Sequence, residues 1–129
     1  MKKFSIIFLS LLLLTGCGAG GNGVTAGYTE ISQDQAREMM AASENFLILD
    51  VRTEEEYASG HIAGAINLPL QEIEDAPPAL LPDLSQEIFV YCRSGNRSKQ
   101  ASGKLADLGY KNVFEFGGIH TWDGEIVKD

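Results

Sequence analysis

Two continuous apolar runs in this chain each end on a polar side chain capable of chemistry. Phe46-Leu47-Ile48-Leu49 stops at Asp50, and Ile88-Phe89-Val90-Tyr91 stops at Cys92. A strand that is apolar at every position, not at every second one, is buried on both faces, as the strands of a parallel sheet are. Ala65-Ile66-Asn67-Leu68 and Val113-Phe114-Glu115-Phe116 read as further strands. Helical patterns lie between them. Ser32 and Gln35 form a capping-box pair, with Ala36, Met39 and Met40 following on one face. Glu54 to Ala58 reads as a short helix, and about Arg97 to Leu108 as a longer one with Ala101, Leu105 and Leu108 at core spacing and Gly109 as its stop. Alternating strands and helices with short connections predict a parallel α/β sheet covered by helices on both faces. Ligands in such sheets bind beyond the carboxyl ends of the strands, where Asp50 and Cys92 lie.

The N-terminus follows different rules. Lys2 and Lys3 precede an apolar run from Phe4 to Leu14 broken only by Ser5 and Ser10, and Leu14-Thr15-Gly16-Cys17 closes it. A positive start, a short apolar stretch and small residues at the end read as a secretory signal, too short for an ordinary membrane span. Leu-Thr-Gly-Cys resembles the lipobox of bacterial lipoproteins. That resemblance implies cleavage before Cys17, lipidation of its sulfur, and a lipid-anchored location in a bacterial cell envelope, outside the cytoplasm. Residues 1–16 are then a signal peptide, 17–27 the lipidated cysteine and a Gly-rich tether, and 28–129 the folded domain. A tether of about ten residues reaches roughly 17 Å.

Processing changes the charge and thiol inventory. The full chain has 10 basic and 18 acidic residues, net −8. Loss of Lys2 and Lys3 leaves 8 basic residues against 18 acidic, net −10. So acidic a chain lacks the concentrated basic surface of a nucleic-acid binder. Of its two cysteines only Cys92 remains as a free thiol, which excludes an internal disulfide and leaves no second thiol to resolve a mixed disulfide. Two histidines and one cysteine without ligand spacing argue against a metal site, and no cofactor motif is present. A monomer is expected.

Cys92-Arg93-Ser94-Gly95-Asn96-Arg97-Ser98 joins the end of a buried strand to a helix. Loop amides at such a junction converge into an anion-binding nest, and the helix N-terminus adds partial positive charge. Arg93 and Arg97 add full charges, and Gly95 lets the loop curl. All favour thiolate over thiol, so a lowered pKa is expected at Cys92. Asp50 is read as a structural hydrogen-bonding or ion-pair partner, with Arg52 beside it, ahead of an electrostatic role on the loop. His61 reads as a packed loop residue, His120 receives no role, and Glu54 to Glu56 read as a solvated first helical turn.

Taken in order, Asp50-Val51-Arg52, Glu55-Glu56-Tyr57, Gly60-His61-Ile62, Gly64-Ala65-Ile66-Asn67-Leu68-Pro69, the Cys92 to Ser98 loop, and Gly117-Gly118-Ile119 followed by Trp122 resemble a single rhodanese domain spanning about Tyr28 to Trp122. The resemblance implies a central, mainly parallel five-stranded sheet with helices on both faces. It implies a thiosulfate sulfurtransferase in which Cys92 takes a sulfane sulfur from a small anionic donor as a persulfide and passes it to cyanide or a thiol. Ser94, Gly95 and Asn96 would contribute to the cradle, with Arg93 and Arg97 orienting the donor. Two alternatives stand beside it. One is a persulfide-presenting or regulatory rhodanese-like binding module, against which the retained cysteine and cationic loop speak. The other is a cysteine-dependent phosphatase or arsenate reductase. Those related phosphatases place five residues between cysteine and arginine, whereas four separate Cys92 from Arg97.

Overall fold

A computed structural model of the protein describes residues 23–25 and 27–128. The expected signal peptide and Cys17 lie outside the described residues. The described residues form eight strands: β1 (Gly23–Thr25), β2 (Tyr28–Glu30), β3 (Phe46–Asp50), β4 (His61–Ile62), β5 (Ile66–Asn67), β6 (Glu87–Cys92), β7 (Asn112–Gly118) and β8 (Ile126–Val127). Among the described residues three α-helices accompany them: α1 (Gln33–Ala42), α2 (Glu54–Ser59) and α3 (Asn96–Asp107). The main sheet has the order β1-β2-β7-β6-β3-β5. From β2 to β5 every neighbouring pair is parallel, which gives the expected five-stranded parallel sheet. β1 adds an antiparallel edge strand, pairing Gly23 to Thr25 with Glu30 to Tyr28. That places three residues of the expected tether segment on the sheet. β4 and β8 form a separate two-stranded ladder.

The apolar runs are explained by burial on both faces. Leu47, Leu49, Ile88, Val90 and Cys92 join Ala101 and Leu105 of α3 in one core. Phe46, Ile48, Phe89 and Tyr91 join Ala36, Met39 and Met40 of α1 and Tyr57 of α2 in the other. Successive residues of a strand point to opposite faces, so each run divides between the two cores. α1 begins as expected: Ser32 Oγ accepts from the Gln35 N–H, and the Gln35 side chain accepts from the Ser32 N–H. α2 repeats the device with Thr53 and Glu56. α3 ends at Gly109, where φ is +103° and the amide of Tyr110 reaches back to the Leu105 carbonyl.

One irregularity shapes the site. β6 and β7 stay in register from Glu87 and Asn112 to Val90 and Glu115, and then Cys92 pairs with Gly118. β7 thus carries one residue more than β6 over this step, a bulge, with Gly117 at φ +94°. The bulge brings Gly118 opposite Cys92.

Candidate active site

Cys92 is the last residue of β6 and faces α3, 1% exposed. The chain then turns through Arg93, Ser94 and Gly95 into α3. Gly95 is the N-cap with φ +110°, a left-handed conformation that glycine adopts without the Cβ penalty. This curl directs the Gly95 N–H at Cys92 Sγ, 3.0 Å away. Burial pushes the Cys92 thiol up, but the Ser98 hydroxyl and the backbone amides of Ser98, Gly95 and Ser94 outweigh it, and the thiol lies below its ordinary value. The expected lowering is present. Its leading causes are these hydrogen bonds rather than the arginine charges.

Ser98, on the first turn of α3, is fully buried. Its Oγ lies 3.4 Å from Cys92 Sγ, 2.9 Å from the Gly95 carbonyl and 2.6 Å from Glu115 Oε1. A hydroxyl has one proton; the Glu115 carboxylate is the nearest acceptor in reach, and turned to Sγ the same proton stabilises the Cys92 thiolate. Glu115, 3% exposed, also accepts from the Gly117 N–H at 2.8 Å. A chain of contacts therefore runs from Cys92 through Ser98 to Glu115 on β7.

The two arginines of the loop differ. Arg97 is bound bidentately by Glu56 of α2, at 2.7 and 2.9 Å. The hydrogen bonds from Arg97 lead the effects that hold the Glu56 carboxyl down at about 2. The first turn of α2 is thus not merely solvated; Glu56 both closes its capping box and pairs with the loop arginine. Arg93, by contrast, is exposed, and its guanidinium makes no ion pair or hydrogen bond among the described residues. Ser94 and Asn96 are exposed at the same rim.

Asp50 lies on the other face. It is in register with Tyr91, one residue before Cys92, and so shares the Tyr91 side of the sheet. Asp50 is completely buried. Its carboxylate accepts from Arg52 Nε and Nη2, from the Arg52 amide and from the Tyr91 hydroxyl at 2.7 Å. Arg52 also donates to the Gly60 carbonyl, and Asn67 Nδ2 donates to the backbone carbonyls of Asp50 and Arg52. Burial, followed by Asp50, raises the Tyr91 hydroxyl above its ordinary value. These contacts form a buried network of hydrogen bonds around one ion pair. His61 is packed as expected, stacked on Tyr57 at 3.7 Å with Nδ1 2.9 Å from the Tyr57 carbonyl.

The strand-to-helix cysteine loop with its inward amides, at the carboxyl end of a central parallel strand, agrees with a comparison against protein families. Residues 32–125 match the rhodanese-like domain. The chain belongs to the rhodanese-like domain family. This rhodanese domain is 39% identical over 71 residues to the thiosulfate sulfurtransferase PspE of Escherichia coli (strain K12), covering 55% of this chain and 68% of that protein. It is 36% identical over 94 residues to a sulfurtransferase of Allochromatium vinosum, covering 72% of this chain and 86% of that protein. Among solved structures it resembles a rhodanese with anions from E. coli, at 36% identity and a TM-score of 0.59, covering 64% of this chain and 98% of that one.

Four residues at the rhodanese site make contacts that the sequence does not show. Ser98 was legible as part of the loop motif, but its bond to Glu115 depends on the β7 register. Glu56 meets Arg97 across 41 positions. Gly118 belongs to the Gly-Gly-Ile motif in the sequence, and in the structure it serves as a contact surface. A Cβ built there would lie 1.9 Å from the Arg93 carbonyl oxygen and 2.7 Å from the Ser94 nitrogen. His120, to which the sequence assigns no role, places Nδ1 2.6 Å from that same Arg93 oxygen.

Proposed function

We propose that this domain is a sulfurtransferase that moves a sulfane sulfur from thiosulfate, or a similar small anionic donor, to cyanide or a thiol through a persulfide on Cys92. The observation that carries this reading is the Gly95 N–H set 3.0 Å from Cys92 Sγ, within a loop that holds the thiol below its ordinary value. The names of its relatives, thiosulfate sulfurtransferase and sulfurtransferase, support the reaction class. The neighbouring solved rhodanese, described with anions, supports an anionic donor.

In the first half-reaction the Cys92 thiolate attacks the outer sulfur of thiosulfate. A new sulfur–sulfur bond forms, the bond within thiosulfate breaks, and sulfite departs with its electron pair. Cys92 is left as a persulfide anion, and the total charge is unchanged. Loop amides hold the terminal sulfur. The exposed guanidinium of Arg93 offers a full charge to the donor, while Arg97 shares its charge with Glu56. In the second half-reaction cyanide or a thiolate attacks the outer sulfur, and Cys92 leaves as thiolate. Two such steps give ping-pong kinetics.

Within the same proposal, Cys17 carries the lipid and the mature domain works at the surface of a bacterial membrane. Radiolabelled palmitate incorporated into the full chain and lost in Cys17→Ala is the expected result; equal labelling of both contradicts it.

Thiocyanate production from thiosulfate and cyanide tests the activity. Parallel double-reciprocal lines and complete loss in Cys92→Ser are expected. Turnover that survives in Cys92→Ser, or no thiocyanate from the folded wild-type protein, contradicts the reading.

A further inference from the structure

The peptide linking Arg93 to Ser94 is the first after Cys92, and it is held from outside the loop. His120, in the turn after β7, places Nδ1 2.6 Å from the Arg93 carbonyl oxygen, with its own backbone N–H 3.5 Å from that oxygen. A carbonyl only accepts, so Nδ1 carries the proton in this contact. Gly118 lies flush on the same peptide, where even a methyl group would overlap its atoms. The described residues contain no cis peptide bond. In a planar trans peptide the C=O and the N–H point in opposite directions. Anchoring the Arg93 oxygen on His120 therefore turns the Ser94 N–H away from His120 and back into the loop, on the Cys92 side.

We propose that His120 is a positioning residue for the sulfur chemistry: its ring N–H, against the flat face of Gly118, fixes the Arg93–Ser94 peptide so that the Ser94 amide joins that of Gly95 on Cys92 Sγ. The inference rests on the reading of Cys92 as the sulfur carrier, and it names the side chain outside the loop that orients the cradle. The Ser94 amide is one of the groups that lower the Cys92 thiol, consistent with this orientation. The Nδ1 proton is present in the cation and in the neutral tautomer that this contact selects, so the clamp acts as a hydrogen bond and not through a positive charge.

The charged groups around Cys92 come from several elements. Glu115 of β7 approaches through Ser98, Arg97 of α3 is paired with Glu56 of α2, Arg93 stands at the rim, and Asp50 of β3 lies on the opposite face. Substitution of His120 alters none of them, so a change in Cys92 acidity reads either the peptide or the charge of His120 itself, and an uncharged donor at the same position separates the two.

The test measures the rate of Cys92 alkylation by iodoacetamide against pH, in His120→Leu and His120→Asn. This readout needs no sulfur donor. Asparagine places an uncharged N–H donor close to the position of Nδ1. The expected result is a rise of about half a pKa unit or more in the leucine variant, near threefold slower alkylation below the pKa. The asparagine variant should return to the wild-type curve. His120 is exposed, and thermal unfolding of both variants should match the wild type. If leucine misfolds, His120→Ala serves in its place. An unshifted curve in the leucine or alanine variant overturns the proposal. So does a shift that asparagine fails to restore, which would assign the effect to charge. Failure of wild-type protein to take up sulfur would refute the sulfurtransferase reading instead, and is scored separately.

Discussion

Arg97 and Glu56 face each other through two parallel hydrogen bonds of 2.7 and 2.9 Å, with both side chains 32% exposed. The pair ties the first turn of α3 to the first turn of α2, and so ties the cysteine loop to the neighbouring helix. Its contribution depends on pH in a defined sense. The folded state holds the Glu56 carboxyl at about 2, below the ordinary 4.5. The stabilisation is therefore complete above pH 4.5 and is lost as the pH falls towards 2. Solvent screening keeps it at about 1 kcal/mol for a pair this exposed. Urea unfolding of Glu56→Gln should show this deficit at pH 7 and a smaller one near pH 3.

Arg93 and Arg97 are unequal towards an anionic donor. Arg97 is already neutralised by Glu56, while Arg93 is exposed and unpaired among the described residues. Arg93→Ala should raise the KM for thiosulfate by about fivefold or more, of the order of one charge contact at a solvated rim. Arg97→Ala should raise it less. Steady-state kinetics of the two variants settle the order, and the reverse order would give Arg97 the principal donor-binding role.

Gly118 supports the loop by having no side chain. The Cβ of Gly118→Ala would overlap the Arg93 carbonyl and the Ser94 nitrogen, both backbone atoms with little freedom to move. Overpacking of this kind costs about 1–3 kcal/mol. Displacing the cradle should lower turnover on the order of 100-fold. Circular dichroism should show the fold retained, and a variant with normal turnover would contradict this close contact.

Asp50 belongs to stability. Asp50→Ala leaves the Arg52 guanidinium, only 5% exposed, without its carboxylate partner. Loss of one member of a buried pair costs about 3–5 kcal/mol. Because Asp50 lies on the Tyr91 face and Cys92 on the α3 face, the folded fraction should keep its Cys92 alkylation rate. Urea unfolding and alkylation on the same sample separate the two effects.

The parts of this structure legible in the sequence are those set by local patterns. Apolar runs marked β3 and β6, the Ser32 and Gln35 pair marked the start of α1, and Gly109 marked the end of α3. The strand-to-helix junction after Cys92 carried the cradle, because its geometry is built from consecutive residues. What stayed hidden depends on contacts between distant segments. The bulge that sets Gly118 opposite Cys92 leaves no mark in composition. Glu56 looked like any acidic residue in a first helical turn, where the helix dipole favours it whatever else it does. The strand at Gly23–Thr25 was hidden by its glycine-rich surroundings, which read as a linker. Asp50 and Cys92 end neighbouring strands in the sheet, and only the register shows that they point to opposite faces.

Intact-mass spectrometry of the mature domain after incubation with thiosulfate tests the persulfide on Cys92 most directly. The account predicts a gain of about one sulfur atom, roughly 32 Da, removed by cyanide or a thiol and absent in Cys92→Ser. Folded wild-type protein that shows no adduct at any thiosulfate concentration, or an adduct that persists in Cys92→Ser, would contradict it.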